Sequence, residues 1–337
     1  MKTLILFSCL LGTAITMCAQ LTDFPKLSGS YLGQKLSGTT PELFAPYIIS
    51  TGLNEATCAF TPGGDEIVYP VIYRKPHSSK VYSSLVASRI KDGFWTPPEV
   101  LGFSGTQYGD LYPFVSGDGK ELFFQSDRPT NRPELKDTYN IWRCKRIPGG
   151  WSDPEPLPPP INGRGSVSGP SLSRSGEFYF TLMSGGPQDG IYASEYREGK
   201  FSEPQRLPEN VNVKEGSFDG VIAPDGNYYL VNVYDKKDDT FGETDLYVTF
   251  KDPSGRWTPL VNLGGTVNSK LNEGSAQISA DGKIVFYSGY LVTHNFYDNV
   301  LTYADILDSS LKPQYGNSDI YWFSAKIIED LKPKELH

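Results

Sequence analysis

Glu55, Asp110 and Glu273 each stand nine residues before a turn glycine, at Gly64, Gly119 and Gly282. Glu215 and Asp219 stand eleven and seven before another, Gly226. Carboxylates at repeated positions suit several chemistries. They can gather around a divalent cation such as calcium, or receive a cationic or hydroxylated ligand. A pair can divide acid and base roles over a glycosidic bond. They can also accept hydrogen bonds from backbone N–H groups of adjoining loops and so fix the scaffold. These acids recur with the repeat, which favours scaffold work; glycoside hydrolysis, which needs non-equivalent acids, is the alternative.

Other catalytic signatures are missing. Histidine is limited to His77, His294 and His337, with no pair at metal-ligand spacing. There is no G-x-S-x-G elbow. The glycine-rich GRGSVSG at 163–169 precedes a strand, not a helix, so it reads as a loop and not a phosphate cradle. No catalytic residue and no cofactor is expected.

One segment breaks the repeat. The stretch 289–318 is far longer than a hairpin needs, and such loops are commonly functional. It carries Tyr290, His294, Phe296, Tyr297, Tyr303 and Tyr315. Aromatic rings among Asn and Asp suit stacking on a sugar or a peptide partner. The competing reading is a short helix over NVLTYADIL that packs these rings on the blade edge.

The elements that must position these residues form an internal repeat. Turns centred near Gly64, Gly119, Gly176, Gly226 and Gly282 recur at spacings of 55, 57, 50 and 56. Asp-Gly or Gly-Gly between β-rich runs signals a tight hairpin with positive φ at both central residues. A third strand follows each hairpin (SSLVASRI, YNIWRCKRI, DGIYASEY, TDLYVTFK, SDIYWFSA). After a second turn, Trp95, Trp151, Phe201 and Trp257 open a fourth, each followed two or three residues later by proline. The fixed register of these rings argues for core packing. Four-stranded units with two apolar faces must stack, and radial stacking into a propeller protects their edges. The expected fold is an all-β, five-bladed propeller of four-stranded antiparallel blades.

The units, with "PDG" at 224–226, GDGKELFFQSDRP at 117–129, "NIW" at 140–142, "DLY" at 245–247 and "DIY" at 319–321, resemble the WD40-like repeats of the PD40, TolB-type propellers. The resemblance spans 40–328 and implies a secreted bacterial protein, with membership of an envelope assembly as one role. It departs from the pattern at Gly63-Gly64 and Ser175-Gly176, which lack the Asp, and after SDIYWFSA, where no fourth strand follows. TTPELFAP at 39–46 resembles a fourth strand with no first three. Residues 40–50 are therefore expected to close the last blade. The blades read as 51–103, 106–161, 166–211, 217–267 and 275–328, inside one domain at 39–333.

Residues 1–19 read as a signal peptide, with Lys2 before a short apolar run and Ala19 at the cleavage point. A lipid anchor on Cys18 is the rival reading, but Met17 stands where a small residue is wanted. Residues 20–38 form an N-terminal arm. These features place the chain in the periplasm or outside the cell, with no transmembrane segment. Cys58 and Cys144 read as separate buried thiols. A net charge of −8 over 337 residues argues against a nucleic-acid partner. The expected function is a binding or interaction module, with a protein or glycan ligand at the loop-rich channel mouth. Glu55, Asp110, Glu215, Glu273, Tyr290, His294, Tyr297 and Tyr303 are its candidate contacts.

Overall fold

The computed structural model describes residues 24–74, 80–132, 135, 138–234, 236, 239–270, 272–290, 312–314 and 317–336. Five antiparallel sheets form a five-bladed propeller. Blade 2 shows the plan, with strands Asp110–Val115, Glu121–Ser126, Asn140–Ile147 and an outer strand in two pieces, Gly150–Trp151 and Glu155–Pro156. Proline, which has no N–H to donate, lies in or next to the break in blades 1 to 3.

Blade 5 pairs Glu273–Ile278, Ile284–Gly289 and Asp319–Ser324 with Glu42–Leu43 as its outer strand. Glu42 faces Trp322 and Leu43 faces Tyr321, and the amide of Phe44 donates to the carbonyl of Ile320 at 2.8 Å. The ring thus closes through an N-terminal strand. Phe44 is fully buried at this seam, its ring edge-on to Phe60, Phe286 and Trp322 at 5.7, 5.4 and 5.1 Å. Tyr31 of the arm joins the same cluster.

The repeated aromatic residues pin blade to blade. The indole N–H of Trp151 donates to Glu66 of blade 1 at 3.2 Å, and Trp257 meets Tyr179 of blade 3 edge-on at 6.2 Å. Blade 5 lacks this residue: its outer strand is Glu42–Leu43, and a short helix, Lys326–Asp330, follows its third strand. Its Ile328 is fully buried in the cluster that holds Tyr228 and Phe250 of blade 4.

The hairpin turns differ from expectation. Only the glycine takes positive φ, for example 71° at Gly119, while Asp118, Asp225 and Asp281 do not. The turn is a wider one: the amide of Gly119 donates to the carbonyl of Ser116, and Asp118 accepts from the amide of Lys120 at 3.1 Å. A polar clasp also recurs. Asn162, Asn212 and Asn268 bond both the amide and the carbonyl of Ile141, Ile191 and Leu246, tying the loop after each outer strand to the third strand. Cys58 and Cys144 are buried and unpaired. No helix among the described residues is long and apolar enough to cross a membrane.

Candidate functional site

Seven residues before each hairpin glycine stand Thr57, Tyr112, Gly169, Asp219 and Ser275. The inner strands of blades 2 to 5 shift register here, between Leu111 and Phe114, Ser168 and Ser171, Phe218 and Val221, and Gly274 and Gln277. The bulged residues have φ of 52°, 57°, 44° and 52°. Such backbone costs about 1–3 kcal/mol for a residue with a Cβ, and bulges re-aim side chains. Here they bring together groups of non-adjacent blades. The Tyr112 hydroxyl interacts with the Asp219 carboxylate and the Ser275 hydroxyl. Asp219 also accepts from the hydroxyl of Ser168. Burial raises the Asp219 carboxyl above its ordinary range, and the Asp219 charge, followed by burial, holds the Tyr112 hydroxyl well up. Gly169 has no room to be anything larger: a Cβ there would lie 3.0 Å from the Asp219 Cα.

Tyr112 and Ser275 line a cavity of 330 Å³ at the channel mouth, shared by blades 1, 2, 4 and 5. Around it the polar groups are mostly neutral. Asn54 Oδ1, Thr57 Oγ1, Asn232 Oδ1 and Ser318 Oγ are all buried without a hydrogen-bond partner among the described residues. A buried polar atom left unmatched costs about 1–3 kcal/mol, so these four offer hydrogen bonds to whatever fills the cavity, water or ligand.

The carboxylates singled out by spacing lie elsewhere or face away. Asp110 is wholly buried, accepting from Arg128 at 2.6 Å and from Ser104 at 2.6 Å. Glu55 accepts from the amide of Thr51 at 3.3 Å and from its hydroxyl. Glu273 borders the mouth cavity, but its oxygens take the amide and hydroxyl of Ser269 at 2.9 and 2.5 Å. Each acid is thus held by a Ser or Thr of the loop that precedes it. Glu215 lies in a loop with Lys214 3.8 Å away. Tyr290 lines the mouth cavity. His294, Tyr297 and Tyr303 lie outside the described residues. No cluster of three or more His, Cys, Asp or Glu suited to a metal occurs among the described residues. The neutral mouth groups were missed because Asn, Ser and Thr carry no motif. Counting seven residues back from each hairpin glycine would have found the bulges.

Glu55 opens instead on a groove of 1260 Å³, walled by Tyr69, Val71, Tyr73 and Val86 and edged by Tyr47, Leu53 and Val100. Burial pushes its carboxyl up to about 7, against the opposing pull of the Thr51 hydrogen bonds.

No protein-family model matches the chain, and no curated protein matches it in sequence. Among solved structures it is similar to a GH43 endo-arabinanase from Bacillus licheniformis, at 12% identity and a TM-score of 0.49 over 79% of this chain and 92% of that one. It is also similar to a periplasmic gluconolactonase from Pseudomonas aeruginosa, at 14% identity and a TM-score of 0.41 over 69% and 64%. With prolyl endopeptidases it shares 17% identity and a TM-score of 0.40 over 69% of its length, spanning only 30% of theirs. Likeness at such identities concerns the fold alone.

Proposed function

We propose that this chain is an exported binding propeller of the PD40, TolB-like kind that takes an uncharged, hydroxylated ligand, such as a glycan, at the channel mouth. The observation that carries this reading is the set of unpartnered polar atoms of Asn54, Thr57, Asn232 and Ser318 around one cavity. Hydroxyl groups both donate and accept, so they match such a set without bringing a charge into a buried site. Tyr290 and Tyr112 add ring surface at the same place. A hydrolase reading has less support, because Glu55, Asp110 and Glu273 are engaged by their own loops rather than facing one another across the mouth.

The test is a glycan array with the chain from residue 20, followed by calorimetry on any hit. Asn232→Ala and Ser318→Ala should each weaken binding about tenfold, near 1.4 kcal/mol, without loss of stability. Glycan turnover that Glu273→Gln abolishes would replace this reading with the enzymatic one.

A further inference from the structure

Blades 1 and 2 share one strand pairing around an inner-strand carboxylate but differ in what surrounds it. Glu55 pairs with Val71 as Asp110 pairs with Ser126, so Tyr73 stands where blade 2 has Arg128. In blade 2 the Arg128 guanidinium binds Asp110 and lies over Phe124, Trp142 and Phe103, 5.2, 5.4 and 5.9 Å from their ring centroids. In blade 1 the paired Tyr69 and Val86 occupy the places of the paired Phe124 and Trp142. The space between is the open groove. Thr51 serves Glu55 much as Ser104 serves Asp110, yet no Lys or Arg is among the described residues that line the groove. Asp319 adds further negative charge at Glu55. With no cation beside it among the described residues, burial favours the protonated form of Glu55, and an incoming guanidinium would favour the charged one.

We propose that this groove docks an arginine-bearing peptide segment of a partner protein, its guanidinium taking beside Glu55 the place that Arg128 takes beside Asp110. Charge complementarity selects a cation, and the molecule's own blade 2 shows that a guanidinium fits this arrangement of carboxylate and flat walls. A peptide, rather than a free guanidinium, suits the rim, where Tyr47, Leu53 and Val100 are 67%, 53% and 53% exposed. Those apolar side chains would cover the residues flanking the arginine. The groove is separate from the mouth cavity: Asn54 and Ala56 face the mouth, and Glu55 between them faces the groove.

The experiment is fluorescence anisotropy with a short labelled peptide holding one arginine between leucines, beside its citrulline counterpart, on the whole chain. The arginine peptide should bind about tenfold or more tightly than the citrulline one, and Glu55→Gln should erase that difference. Tyr73→Arg should fill the groove from within, abolish binding and raise the Tm. Equal binding of both peptides, an undiminished preference in Glu55→Gln, or no saturation by about 1 mM would overturn the proposal. So would free arginine amide binding as tightly as the peptide. If Tyr73→Arg does not fold, the peptide pair and Glu55→Gln still decide.

Discussion

Glu55 and Asp110 hold the same station in adjacent blades, and their surroundings diverge. Asp110 sits between two blades with its own cation, Arg128, and aromatic walls packed around the pair. Glu55 sits beside the seam where blade 5 borrows its outer strand, and it meets Thr51 and open space. A repeat imposes the carboxylate on both; the residue eighteen positions later decides whether the site is closed or available. Recurrence shows what the scaffold needs, and the exception within it is where the proposed peptide would enter.

The largest effect should come from opening the seam itself. Deleting residues 39–50 unpairs Asp319–Ser324 on one edge and removes Phe44, a side chain alone worth about 3–5 kcal/mol. Calorimetry should show the cooperative transition lost or shifted far down, and an unchanged Tm would mean that the ring does not close this way. Next is Arg128→Met, which strands a buried carboxylate and should cost about 3–5 kcal/mol in urea unfolding. Adding Asp110→Asn should recover part of that loss; simple additivity of the two changes would break the claimed pairing.

Glu55 gives a smaller effect with a definite sign. Its folded pKa of about 7 lies above the unfolded carboxylate value, so the folded protein holds the proton more tightly. Stability should therefore fall as pH rises between the unfolded value and about 7, by on the order of 1–3 kcal/mol. Glu55→Gln should remove that slope, matching the native chain near pH 4 and exceeding it at pH 8. A variant with the same slope would assign it to other groups, such as Asp319, which burial raises to about 6. Smallest of all, Glu215→Gln should change stability by less than about 0.5 kcal/mol and leave mouth binding intact, because its ion pair among the described residues is a loose one with Lys214.

Much of the fold was legible because propeller repeats write themselves in turns and apolar strands. Gly64, Gly119, Gly176, Gly226 and Gly282 mark the first hairpin of every blade, and the orphan stretch at 39–46 marks the closing strand. The turn type was not legible, since Asp-Gly supports more than one turn and the hydrogen bonds of Ser116 choose between them. Nor was the short helix Lys326–Asp330 after the third strand of blade 5, whose Ile328 joins the cluster that holds Tyr228 and Phe250. For the site, spacing found Glu55, Asp110 and Glu273 but not their direction. Their partners Thr51, Ser104 and Ser269 precede them in the loops, and strand pairing alone shows that Arg128 and Tyr73 correspond.

The contrast between the two blades is tested most directly by NMR titration of the Glu55 side-chain carboxyl, assigned by its disappearance in Glu55→Gln. The expected midpoint is about 7 in the free protein, moving down when the arginine peptide is added and staying in place with the citrulline peptide. A midpoint in the ordinary carboxylate range, indifferent to either peptide, would contradict it.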